Sequence, residues 1–252
     1  MTGSTRIALA VASLAVFAVS LDATVLFVAF PAIRADFDDV SLPVLSWVLN
    51  AYTVVFGALL VPAGRLADQL GRRRVFVTGL VLFSVASLGC ACAPSAWWLI
   101  VDRALQGVGA EMLFPASLAL VLAEALPEER SLAAGLWGAV GALAAAVGPS
   151  LGAVTVSELG WRAVFAANLP VGVAAVLLAR RRLREPRDVE ATPPPSATST
   201  LLLVVGTSAL GHRRCDGRPR RGRGRLALGP LHSAGAACGD ALLRPRALQF
   251  RW

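Results

Sequence analysis

Six apolar stretches follow one another along the first 180 residues, at roughly 7–30, 45–63, 75–93, 97–122, 132–156 and 163–179. A helix of about 20 apolar residues crosses the hydrocarbon core of a bilayer. All but the last stretch reach or nearly reach that length, so the succession predicts an all-α integral membrane bundle of six spans. Hydrophobic residues make up 56% of the 252, charged residues 16%, and the mean hydropathy is +0.65, far more apolar than a soluble domain of this size. A cleaved leader beginning at Arg6 is the alternative for the first stretch, but its apolar run is long and five more follow, which favours a retained helix.

Arginine supplies every basic charge, because the chain holds no lysine. Arg6, Arg65, Arg72 to Arg74 and the arginines of 180–184 fall on one side of the expected spans, while Arg34 and Arg162 stand in loops opposite. The excess of arginine marks the cytoplasmic side and places the N-terminus there. The loops on the other side, 32–44, 94–96 and 157–162, are short or carry Asp36, Asp38 and Asp39. Between the second and third spans, GRLADQLGRRR at 64–74 reads as a charged cytoplasmic hinge containing Gly64, Asp68, Gly71, Arg72, Arg73 and Arg74.

Ionisable groups inside spans are costly in lipid and usually face a bundle interior or a water-filled path. Asp22 lies well inside the first span, and Asp102, Arg103 and Glu111 lie in the fourth. Arg103 and Gln106, one turn apart, present a guanidinium and an amide to one face, unless Arg103 snorkels to an interface. Asp102 points about 100° away from Arg103, as a local counter-ion or an interfacial group. Glu111 sits deeper, as a proton carrier or a packed, hydrogen-bonded structural acid. In the fifth span Gly138, Gly141, Gly148 and Gly152 allow close helix approach, and Pro149 removes a backbone donor and should bend the helix.

Six strings carry a family likeness in order along the first 200 residues. GRLADQLGRRR, LIVDRALQGVGA, GAVGALAAAVGPSLGA, LDATVLFVAFP, WVLNAY and WRAVFAANLPVG together resemble signatures of the major facilitator superfamily, and more closely its fourteen-span drug:proton antiporter branch. The resemblance implies the N-terminal half of that fold, a three-plus-three inverted repeat in which FPA recurs at Phe30 to Ala32 and Phe114 to Ala116. It implies proton-driven efflux of amphipathic small molecules, with the proton gradient as energy source and no cofactor. Asp22 and Arg103 would contribute to coupling; Gln106 and Glu111 are candidates for the same path from their own place in the fourth span, not from the resemblance. Gly148 with Pro149 would favour exchange over symport. Asp68 and Arg72 would form a cytoplasmic latch whose acid faces a helix N-terminus in the other half. Departures from the pattern are Phe27 in place of Asn, Ala153 in place of Gly, and the acids Asp102 and Glu111 where small residues are usual.

The domain organisation expected is a six-span bundle over 1–179, a charged, then Pro/Ser/Thr-rich cytoplasmic linker over 180–200, the start of an aborted seventh span over 201–210, and a basic low-complexity tail over 211–252. The whole net charge of +8 sits in residues 206–252, where ten arginines face two aspartates. Because no span can continue through those arginines, the tail is expected to be disordered and translated out of frame, leaving a truncated bundle with little transport of its own. The partners expected are the lipid bilayer, an amphipathic small molecule, and either a missing C-terminal half or a second copy; the alternative is a non-transporting half-protein whose tail binds anionic lipid. Nucleic acid is a weaker reading of the basic tail. Cys90, Cys92, Cys215 and Cys238 lack the spacing of a metal set, and no nucleophile has a plausible base, which argues against an enzyme.

Overall fold

The computed structural model describes residues 1–183, which are helical throughout apart from short turns. The elements are α1 (Gly3–Asp36), α2 (Leu42–Leu45), α3 (Trp47–Leu70), α4 (Arg72–Ala91), α5 (Ala96–Glu124), a 3-10 turn at Pro127–Glu129, α6 (Arg130–Leu159), α7 (Trp161–Ala166) and α8 (Asn168–Arg182). Six membrane-competent helical segments result, with α7 and α8 forming the sixth. The expected linker, seventh-span start and basic tail lie, beyond Leu183, outside the described residues.

Local chemistry sets the helix ends. Thr2 Oγ1 accepts from the Thr5 N–H at the start of α1, and Ser95 Oγ accepts from the Trp98 N–H at the start of α5. Gly71 at φ +99° and Gly160 at φ +81° stop α3 and α6 in a backbone region that side-chain-bearing residues rarely adopt. Their N–H groups close on the carbonyls of Ala67 and Val156. Pro31, Pro62, Pro115 and Pro149 all sit within continuous helices, as neighbouring helices in a membrane bundle permit.

Three boundaries differ from the sequence reading. The second span continues to Leu70, so most of GRLADQLGRRR is helix and the hinge contracts to Gly71 alone. The motif's residues have ordinary helix propensity, and only a glycine at positive φ ends the run. The first span runs on to Asp36, taking in residues expected to be loop. The sixth continues through Arg182, so the first three residues assigned to the linker are the last turn of α8.

Packing joins α1 to α6 and α5 to α3, two pairs that exchange under the swap of first and second halves expected of a three-plus-three repeat. Glycines set the closest approaches. A Cβ on Gly109 would come 2.6 Å from the Phe83 nitrogen, and one on Gly79 would come 2.8 Å from the Gly109 carbonyl, so α4 and α5 touch backbone to backbone. A Cβ on Gly152 would lie 2.7 Å from Val25 Cγ1, and one on Gly148 would overlap Thr24, which brings α6 onto α1. Gly141 meets Val16 and Ser20 more loosely, whereas Gly138 has open space where a packed neighbour was expected. It lies on the exposed side of α6.

Two apolar clusters fill the bundle. One gathers Val19, Phe76, Leu80, Phe83, Leu113, Leu120 and Ala175. The other gathers Leu26, Ile33, Leu45, Leu99, Trp161 and Phe165. Along α1, α4, α5 and the α7–α8 segment, the residues between these clusters are polar, and they make up the site.

Candidate functional site

The site is a polar layer at mid-span. Asp22 is the twentieth residue of α1, about 28 Å along a helix rising 1.5 Å per residue, and its side chain is 1% exposed. Asp22 thus faces the bundle interior and not its outer surface. Arg103 is likewise 1% exposed and makes no excursion toward a membrane surface.

The two ion-pair at 2.6 Å, Nη1 to Oδ2. Arg103 Nη1 also donates to Gln106 Oε1, as the one-turn spacing predicted. Gln106 Nε2 then donates to Asp22 Oδ1 at 3.1 Å and to Ser87 Oγ at 2.7 Å. Asn168, at the start of α8, donates to Asp22 Oδ1 at 3.0 Å and to Ser87 Oγ at 3.4 Å. From α3, the Val48 carbonyl accepts from Arg103 Nε at 3.3 Å. The guanidinium lies 4.4 Å from the Tyr52 ring centroid and 5.7 Å from that of Phe165.

One carboxylate faces one guanidinium, and both oxygens of Asp22 are occupied. A lone charge at this depth would be costly; paired and hydrogen-bonded it is held in place. Residues on α1, α3, α4, α5 and the α7–α8 segment all reach the layer, and α6 supplies none of these contacts. Ser87, Tyr52 and Asn168 were not singled out in sequence. Asn168 left a trace, as an amide inside an apolar segment in one of the family-like strings, but Ser87 left none.

Glu111 belongs to α5 but not to this network. It is 0% exposed, and neither carboxyl oxygen has a hydrogen-bond partner; the Tyr52 hydroxyl is also unpartnered. The reading of a hydrogen-bonded structural acid is therefore not met. A row of rings links α3, α5 and α6, Tyr52 to Phe56 at 5.9 Å, Phe56 to Phe114 at 5.7 Å and Phe114 to Trp137 at 5.0 Å. Asp102 lies against Gly89 of α4, whose missing side chain makes room for the carboxyl, and it does not pair with Arg103.

At the end of the bundle bearing Gly71, Asp68 stands in the last turn of α3 and meets Arg72 of α4 across the glycine at 3.4 Å. The Asp68 side chain remains 66% exposed, open to a further partner. Arg73 donates to the carbonyls of Ala179 and Arg180, capping the end of α8, and Arg74 is exposed. Gly64 sits within α3 with open space beside it. Asp68 and Arg72 to Arg74 thus share one bundle end, apart from the mid-span layer. At the opposite end Asp36 accepts from Arg162 at 2.6 Å and from Trp161 at 3.2 Å, while Arg162 reaches the Ala93 carbonyl. No group of three or more potential metal ligands occurs among the described residues.

The profile of the Major Facilitator Superfamily matches residues 12–236. The methylenomycin A resistance protein of Streptomyces coelicolor is 36% identical over 202 residues, 79% of this chain and 41% of that protein. The multidrug resistance protein Stp of Mycobacterium tuberculosis is 35% identical over 81% of the chain and 38% of its own length. The tetracenomycin C resistance and export protein of Streptomyces glaucescens is 34% identical over 76% of the chain and 35% of its own length. The chain thus spans about two fifths of the length of these relatives. Among solved structures, the human organic anion transporter MFSD10 superposes with a TM-score of 0.64 at 19% identity, over 83% of this chain and 55% of that one, a likeness of fold.

Proposed function

The chain belongs to the major facilitator superfamily, a family of multi-pass membrane transporters and not of enzymes, and from that premise we propose that its six-helix bundle is one half of a proton-coupled exporter of amphipathic small molecules. The relatives named for antibiotic and multidrug resistance support the substrate class. A bacterial inner membrane is the setting these relatives favour, with the Arg-rich end of the bundle cytoplasmic.

The observation that carries the coupling is Asp22, held mid-span by Arg103, Gln106 and Asn168. A proton on Asp22 would remove one charge of a matched pair and leave the guanidinium to Gln106, the Val48 carbonyl and the Tyr52 ring. The layer then has two electrostatic states that a proton gradient can interconvert, with no cofactor. Glu111, buried without a partner on α5, the helix that carries Arg103, is a second proton-binding group. Gly148, Pro149 and Gly152 give α6 its close but adjustable seat on α1. Asp68, with Arg72 to Arg74, is the latch toward a second bundle, which would also cover exposed apolar residues such as Leu60, Val61, Leu143 and Val154.

The test is transport in proteoliposomes holding this chain together with the C-terminal half of a full-length relative, with an imposed pH gradient and a fluorescent amphipathic dye. Asp22→Asn should abolish the gradient-dependent component of efflux. Undiminished gradient-driven efflux in that variant would refute the coupling role, and robust efflux by this chain alone would refute the need for a second half.

A further inference from the structure

A cavity of about 450 Å³ opens where three helix ends meet, lined by Ser4 and Ile7 of α1, Glu124 of α5, and Arg181, Arg182 and Leu183 at the end of α8. Two arginines and one glutamate are among its lining residues. Neither Arg181 nor Arg182 has an ion-pair partner among the described residues, and the carbonyls of Ala179 and Arg180 in the same last turn accept from Arg73. Glu124 accepts from Thr5 Oγ1 at its backbone carbonyl, and the residue is part of the cavity lining. The two arginines therefore line the cavity with no counter-charge bonded to them among the described residues.

Depth decides what can reach them. The 34 residues of α1 extend about 50 Å at 1.5 Å per residue, longer than the roughly 30 Å hydrocarbon core, so its first turn projects to the level of the lipid headgroups. Ile7 and Leu183 give the cavity an apolar edge on which glycerol and the first acyl carbons can rest, while Ser4 adds a hydroxyl donor. We propose that this cavity binds a membrane phospholipid through its phosphodiester, with Arg181, Arg182 and Ser4 donating to the phosphate and Glu124 accepting from a donor on the headgroup. That donor is the hydroxyl of a glycerol headgroup or the ammonium of an ethanolamine headgroup. A choline headgroup offers the phosphate but no hydrogen-bond donor for Glu124. The site stands apart from the mid-span layer and does not depend on the transport reading.

Native mass spectrometry of the full chain in detergent, incubated with equal phosphatidylglycerol, phosphatidylethanolamine and phosphatidylcholine, reads the assignment directly. The first two lipids should be retained in preference to the third. Arg181→Ala with Arg182→Ala should lower their retention about thirtyfold, as the loss of two arginines near a headgroup implies. Arg34→Ala, at the other end of the bundle, should leave it unchanged, and Glu124→Ala should bring phosphatidylcholine level with the others. If the double variant fails to fold, Arg181→Gln and Arg182→Gln made singly should each give a smaller loss in the same direction. Equal retention of all three lipids by the unchanged protein, retention insensitive to the arginines, or displacement of lipid by millimolar inorganic phosphate would each overturn the proposal.

Discussion

Removing Arg103 should do more damage than its single ion pair suggests, and removing Asp22 with it should undo much of that damage. In Arg103→Met, Asp22 keeps Gln106 and Asn168 as donors but loses its counter-charge at a depth where it is 1% exposed. Breaking a buried pair from one side costs about 3–5 kcal/mol, chiefly because a buried charge is left uncompensated. Asp22→Asn is the milder change, about 2–3 kcal/mol, since the guanidinium keeps the Val48 carbonyl, the Gln106 amide oxygen and the Tyr52 ring. The double variant Asp22→Asn with Arg103→Met leaves no net charge in the layer. It should therefore be more stable than the sum of the single losses by about 2–3 kcal/mol, close to a hundredfold in the folding equilibrium. Equilibrium unfolding in mixed micelles, followed by tryptophan fluorescence, gives the three free energies. Additivity within about 0.5 kcal/mol would show that the two residues do not share one electrostatic unit, and the reading of the layer would fail.

Glu111→Leu should leave the protein as stable or make it more stable by about 1–3 kcal/mol, because both carboxyl oxygens are buried without partners; a clear loss in the same unfolding assay would mean an unseen partner. Gly109→Ala should destabilise by about 1–3 kcal/mol by pushing α5 off the backbone of Phe83, while Gly138→Ala, with open space around it, should be neutral or slightly stabilising; equal effects would contradict the packing. Backbone amides of α6 should exchange with deuterium faster than those of α5, since 17% of the most apolar stretch of the α6 segment is buried against 56% in α5, and α6 sends no side chain into the polar layer. Slower exchange in α6 would show that another contact holds it.

The spans were legible because burial in lipid demands long unbroken apolar runs, and no other architecture reconciles six of them with so few charges. Asp22, Arg103 and Gln106 were legible for the same reason: polar groups in such runs are expensive and stand out. Gln106 could even be placed on the face of Arg103 from helical spacing alone. Ser87 could not be found this way, since a serine can satisfy its own hydroxyl on a helix carbonyl and costs little in a span. The hinge was misjudged for a related reason. Charge told where the chain left the membrane, but only the backbone of Gly71 told where the helix stopped. Gly138 shows the limit from the other side, because a glycine is written alike whether it meets a backbone or open space.

The polar layer constrains how the bundle can move. On α1, α4, α5 and the α7–α8 segment its members lie between two apolar clusters, so sliding any one helix by a turn of about 5.4 Å would carry Asp22, Ser87, Arg103 or Asn168 into apolar surroundings and strand the remaining partners. Those helices are thereby keyed to a common register. Contacts at both bundle ends add to this: Arg73 ties α4 to α8, and Arg162 ties the end of α7 to Asp36 and to the turn before α5. The helix left out is α6, seated on α1 through Gly148 and Gly152 and carrying the proline at 149. Motion inside the bundle is therefore least costly at α6, and the keyed helices respond to a change of charge at Asp22 together or not at all.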